Sequence, residues 1–244
     1  MMDLAGAMMN QPFVYKTFTG KVKTMGDPDA KRPMDRKWES AIFKTEKELP
    51  LTLTKTGLSG DQVADTKNHG GPEKALFCYP LRHYDHWKED LELDSIGAGA
   101  MGENLSVTDM DETTVCIGDT YRLGNALIQV SQPRRPCWKP ARRFRVLDFS
   151  LRIQNTGLTG WYFRVLEEGS IQSGLHLELI ERPYPRWTIA ECNDVMYRDK
   201  EDRERTAALA SCDLLAANWK HTLVKRLQGH ESSVEKRVYG PNQE

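Results

Sequence analysis

From about residue 17 to 182 the chain runs in short stretches rich in Val, Ile, Leu, Thr and aromatics, punctuated by Gly, Pro and Asn. This punctuation constrains the fold more than any other feature. KTFTGKVKT (16–24), AIFKTE (41–46), LTLT (51–54), TTVCIG (113–118), DTYRLG (119–124), ALIQVSQ (126–132), WYFRVLEEG (161–169) and LHLELIER (175–182) have β composition with partial alternation. LGN at 123–125 reads as a tight connection between two strands. Many short, closely punctuated strands predict a barrel or sandwich rather than a doubly wound sheet.

Helical spacing interrupts and then replaces this pattern. PLRHYDHWKEDLEL starts with Pro80 and spaces Leu81, Tyr84, Trp87 and Leu91 at helical intervals. VLDFSLRIQNTG (146–157) ends in Gly157, a C-cap residue. Beyond ERPYPRW (181–187), TIAECNDVMYR, EDRERTAALA and CDLLAANWKHTLVKRLQG read as three helices. The last carries Leu215, Trp219, Leu223 and Leu227 every four residues, a core-packing stripe. The expected organisation is a flexible leader (1–16), a β-barrel domain (17–182) and a C-terminal helical extension (187–244), with Pro183 and Pro185 in the linker.

Composition narrows the function classes. With 28% charged and 39% hydrophobic residues, the chain has the makeup of a soluble globular protein. A net charge of −1 argues against a broad nucleic-acid surface, so anion binding must come from local clustering. The five cysteines are far apart and form no C-x-x-C pair, which argues against a zinc site or a disulfide scaffold. An odd count without a secretory signal predicts a reducing, cytoplasmic setting. No apolar run approaches the roughly 20 residues needed to span a bilayer.

Chemistry concentrates in QPRRPCWKPARRF (132–144). Arg134, Arg135, Lys139, Arg142, Arg143 and Arg145 crowd Cys137, and Pro136 and Pro140 restrict the segment. Cations lower a thiol pKa, and the thiolate is both nucleophile and metal ligand. Guanidinium groups recognise phosphate or carboxylate in bidentate fashion. The same residues also fit a solvated basic face around a cysteine with no role. Two glycine-rich stretches could shape a ligand cradle or be simple turns. GLSGDQVADTKNHGGPEKA (57–75) holds Asp61, His69, Gly70 and Gly71, and GENL (102–105) holds Glu103 and Asn104. Neither is a Walker A loop or a dinucleotide fingerprint, and no zincin, hydrolase-elbow or EF-hand pattern is present.

The ordered set GLSGD, NHGGPEKAL, YP, GENL, GD, LIQVSQPRRPCWK and NTGLTGW resembles the MOSC family, the modules related to the C-terminal domain of molybdenum cofactor sulfurases. The helical tail is similar to the three-helix extension of the stand-alone bacterial YiiM-like branch. The resemblance implies a β-barrel-centred fold with a cleft for the molybdenum cofactor (molybdopterin). It places the family's cysteine at Cys137 as molybdenum ligand, with Arg134, Arg135, Arg142, Gly70 and Gly71 toward the cofactor. His69 and Asn104 fall on the substrate side, while Asp61 and Glu103 organise their loops. The implied activity is reduction of N-hydroxylated bases such as 6-hydroxylaminopurine, with electrons from a flavoprotein. The alternative is a sulfur or cofactor carrier using a Cys137 persulfide.

Overall fold

The computed structural model describes residues 11–231 and 233–243. Its strands are β1 (Phe13–Thr19), β2 (Lys23–Met25), β3 (Trp38–Ser40), β4 (Thr45–Lys47), β5 (Leu51–Thr54), β6 (Gly57–Leu58) and β7 (Leu76–Pro80). They continue as β8 (Leu105–Thr108), β9 (Thr120–Leu123), β10 (Ala126–Pro133), β11 (Trp161–Glu167), β12 (Gly169–Ile171) and β13 (Leu177–Glu181). The helices are α1 (Thr66–His69), α2 (His83–Leu91), α3 (Lys139–Phe144), α4 (Phe149–Thr156), α5 (Ile189–Asn193), α6 (Arg203–Ala210), α7 (Ala217–Leu227) and α8 (Val234–Val238). A π-helical turn, Asp194–Arg198, extends α5.

An eight-stranded sheet in the order β13-β9-β10-β11-β7-β8-β1-β4 forms the body. All its pairings are antiparallel except β7–β8. The sheet curls until β1 meets the segment entering β13. There Val14 N–H donates to Leu175 O at 2.9 Å, Gly174 N–H to Val14 O at 2.7 Å and Leu177 N–H to Pro12 O at 2.8 Å. The predicted barrel is present, sealed at this seam by few backbone bonds. Ala126 faces Leu123 across Gly124 and Asn125, which is the tight connection expected at LGN.

Several elements depart from the sequence reading. TTVCIG (113–118) is not a strand; Cys116 makes a single bridge to Thr188. Asp111 accepts from the Thr113 amide at 2.8 Å and from its hydroxyl at 2.6 Å, turning the chain before a ladder can form. Residues 13–16 of the expected leader belong to β1, and residues 1–10 lie outside the described residues. β7 and β8 had no alternation to reveal them, because every residue of β7 is buried. α3 lies inside the basic stretch, where no helical periodicity marks it.

The helical tail shares the barrel's core. Ile189, Cys192, Leu209, Trp219 and Leu223 form one apolar cluster with barrel residues such as Val130, Ile128 and Phe163. α7 uses the predicted stripe for this, burying Trp219 and Leu223 completely. Each such side chain contributes about 2–3 kcal/mol of apolar burial. One further helix, α8, returns to the basic loop.

Candidate active site

The segment carrying Cys137 leaves the barrel at the end of β10 and is fixed there before it turns. Arg134 N–H donates to Gly160 O at 3.0 Å. Gly160 has φ +67°, and a Cβ on it would lie 2.4 Å from Cys78 O, so β11 can start against β7 only with glycine there. Three successive carbonyls then accept side-chain donors. Pro136 O takes Arg237 Nη1, Cys137 O takes Ser150 Oγ at 2.6 Å, and Trp138 O takes Asn242 Nδ2 at 3.2 Å. Pro140 sits in the first turn of α3, where a missing N–H costs nothing, and Arg145 ends that helix at φ +62°.

The facing wall comes from the 57–75 glycine stretch. Asp65 caps α1 by accepting from Asn68 N–H at 3.1 Å, and this sets His69 at the helix end. Gly71 follows with φ +95°, a conformation that favours glycine. Asp61 joins three strands of chain. It accepts from Gly20 N–H at 2.7 Å, from Asn104 Nδ2 at 2.7 Å and from Lys44 Nζ at 2.5 Å. Glu103 is fully buried and accepts from Tyr84 OH at 2.6 Å, Ser106 Oγ at 2.7 Å and Gly99 N–H at 2.6 Å. Both carboxylates therefore organise loops, as read from the sequence.

Between these walls lies a cleft of about 430 Å³, the size of a small-molecule site. Cys137, His69, Asn104, Arg134, Gly70 and Gly71 all line it. Burial pushes the Cys137 thiol up, but His69 beside the sulfur, then Arg134 and the Lys139 N–H, bring its pKa down to about 6. The sulfur is a thiolate at neutral pH. The other four cysteines are buried, and burial raises the pKa of Cys78, Cys116, Cys192 and Cys212. Arg134 is 4% exposed, lies 5.1 Å from the Phe77 ring, and has no hydrogen-bond partner at Nη1 among the described residues. A buried guanidinium nitrogen without a partner is a donor awaiting an acceptor.

Two of the expected residues are elsewhere. Arg135 does not line the cleft; its Nη1 donates to Thr222 Oγ1 of α7 at 3.0 Å. Arg142 is also outside the lining. Its guanidinium donates to Asn242 Oδ1 at 2.9 Å, Arg36 O at 3.0 Å and Pro33 O at 2.5 Å, and it packs 5.0 Å from the Trp138 ring. α3 turns this residue away from the sulfur, which a loop reading of the segment did not anticipate. Asn104 reaches the cleft, but its side-chain amide holds Phe77 N–H at 3.0 Å as well as Asp61. The structure adds Lys44, Lys74 and Lys139 to the lining. Lys74 and Lys139 stood within the quoted motifs, whereas Lys44 carried no local signal. Burial lowers the Lys44 and Lys74 pKa values.

A curled barrel with a thiolate in a cationic cleft, and a helical extension packed against the barrel core, define the class. The chain belongs to the MOSC domain family: the MOSC domain matches residues 65–178, and a YiiM-like, 3-alpha helix domain matches residues 187–230. Among its relatives is the protein YiiM of Escherichia coli, 36% identical over 91% of this chain and 96% of that protein. The uncharacterized protein YflK of Bacillus subtilis is 39% identical over 83% of this chain and 91% of its own length. A protein of Gibberella moniliformis named as a reductase is 41% identical over 64% of this chain, which spans 28% of it. The crystal structure of YiiM from Geobacillus stearothermophilus superposes with a TM-score of 0.74 at 35% identity, covering 88% of this chain and 99% of that one. Among the described residues no helix is long and apolar enough to cross a membrane.

Proposed function

We propose that the protein is a molybdenum-cofactor-dependent reductase of N-hydroxylated bases and related compounds, of the 6-hydroxylaminopurine type. The observation that carries this reading is the Cys137 thiolate, with pKa about 6, facing a cationic cleft in which Arg134 Nη1 has no partner. A soft thiolate suits a sulfur-rich molybdenum centre, and an unpartnered guanidinium nitrogen among lysine ammonium groups suits a pterin phosphate, so the residues present fit the group. Cys137 would be the metal ligand. Arg134, Lys74 and Lys139 would hold the phosphate, and the Gly70–Gly71 backbone would let the pterin approach closely.

When bound, the cofactor supplies the two-electron redox couple. The chain's own residues orient the substrate and handle protons. The overall change is R–NHOH + 2 e⁻ + 2 H⁺ → R–NH₂ + H₂O, in which the N–O bond breaks and the oxygen leaves as water. In this reading His69, beside the sulfur, delivers a proton to the departing hydroxyl oxygen. Asn104, tied to Asp61 and Phe77, keeps the substrate side of the cleft in one shape. Electrons come from a partner flavoprotein in this reading.

Protein isolated from a cofactor-competent host is expected to contain molybdenum and pterin in near-equal amounts, and Cys137→Ser to lose the metal and the reduction of 6-hydroxylaminopurine. Absence of both metal and pterin, with reduction unchanged in Cys137→Ser, would overturn the proposal. Intact mass after incubation with a desulfurase separates the carrier alternative: a Cys137 persulfide without turnover would support it.

A further inference from the structure

The helical extension and the basic loop line a second, solvent-open cavity of about 30 Å³ that shares no lining residue with the cleft. A space of this size takes a small ion and excludes a nucleotide. Arg135, Lys200, Arg226 and Arg237 stand in its wall, and Glu231 is the one carboxylate among the lining residues. Glu231 lies 3.6 Å from Arg226 Nε and 3.8 Å from Lys200 Nζ, at the long end of ion pairing, and its side chain is 54% exposed. Glu201, outside the lining, also acts on Arg226, and two carboxylates do not neutralise four cations.

The remaining bonds fix the guanidinium groups without cancelling their charge. Arg226 donates to Val195 O and Met196 O at 2.7 Å each, and Arg237 donates to Pro136 O and Gln154 Oε1. These acceptors are neutral. Burial lowers the pKa of both Arg226 and Arg237, and Arg135 adds to the effect in each. Two of the lining residues each carry a buried polar atom, Arg135 Nε and Tyr197 OH, with no hydrogen-bond partner among the described residues. Nε–H can only donate and a phenol readily does, so the missing group is an acceptor. Tyr197 is carried by the π-helical turn, an element that recurs at functional sites.

We propose that this cavity binds a small tetrahedral oxyanion of the phosphate type, through Arg135, Arg226, Lys200 and the Tyr197 hydroxyl, and that its occupation stiffens the loop bearing Cys137. The connection is short: Arg135 lies on that loop, and Arg237 holds the Pro136 carbonyl next to the cysteine. The inference stands whether or not the cleft carries a molybdenum cofactor.

The test is a titration with inorganic phosphate at constant ionic strength, followed by calorimetry and thermal unfolding. Wild type is expected to bind phosphate with a Kd of about 1 mM or tighter. Tyr197→Phe combined with Lys200→Gln is expected to weaken binding about tenfold or more. Neither change removes a backbone hydrogen bond, so the variant folds, and its melting temperature without phosphate verifies this. Lys139→Gln, which alters the cleft, is expected to leave this binding in place. Equal affinity in wild type and the double variant, loss of binding in Lys139→Gln alone, or no binding to wild type would each overturn the proposal. Phosphate is also expected to slow hydrogen exchange at amides 134–139 in wild type but not in the double variant; unchanged exchange in wild type would overturn the coupling to the loop.

Discussion

Arg134 and Arg142 belong to one basic run and are equally buried, each 4% exposed, yet they do opposite work. Arg134 lines the cleft with Nη1 unpartnered among the described residues, whereas Arg142 lies outside it and bonds through all three guanidinium nitrogens to Asn242, Arg36, Pro33 and Pro241. Burial does not separate a binding arginine from a structural one. Hydrogen-bond accounting does, because a guanidinium already committed to protein acceptors at all three nitrogens has little left to offer a ligand.

That contrast can be broken by experiment. Arg142→Ala leaves part-buried carbonyls and the buried Asn242 amide oxygen without donors and is expected to cost about 2–3 kcal/mol in urea unfolding. Arg134→Leu is expected to cost less than about 1 kcal/mol while weakening anion binding in the cleft. Equal stability losses would erase the distinction.

The rear contact can be loosened more gently. A Cβ on Gly240 would lie 2.4 Å from Trp138 Cδ1, at φ +49°, so Gly240→Ala is expected to destabilise by about 1–2 kcal/mol. A melting temperature equal to wild type would show that this packing is not tight.

On the front side, Cys137 alkylation should rise with pH about a midpoint near 6, and His69→Ala should move that midpoint upward. The sign carries over to stability. The thiol is more acidic folded than at its ordinary 9.0, so its contribution is complete above 9.0 and is lost as pH falls through about 6. The stability gap between wild type and Cys137→Ser is therefore expected to widen from pH 6 to 9. A flat gap would contradict the electrostatic reading. In the smallest effect, native alkylation should stop at one thiol per chain, since the other four cysteines are buried.

The barrel was legible where runs of β-branched, aliphatic and aromatic residues are bounded by turn residues, as in β9, β10 and β11. It was hidden at β7, where total burial removes alternation, and at 113–118, where Asp111 turns the chain. In the cleft, Cys137 and His69 were readable because thiol, imidazole and cations advertise their chemistry by type. The direction of each arginine was not, because it depends on α3, a helix with no apolar period. Lys44 escaped notice because only the fold brings it to Asp61.

The side chains that hold the carbonyls on either side of Cys137 come from Arg237 and Asn242, about a hundred residues further along the chain. At a synthesis rate of roughly 5–20 residues per second, the cysteine emerges from the ribosome some 5–20 s before its clamps exist. During that interval the loop is an unbraced segment on an incomplete barrel. The finished form of the site is thus a late event in the life of the polypeptide, and any cargo that requires it must wait for the helical tail to be made.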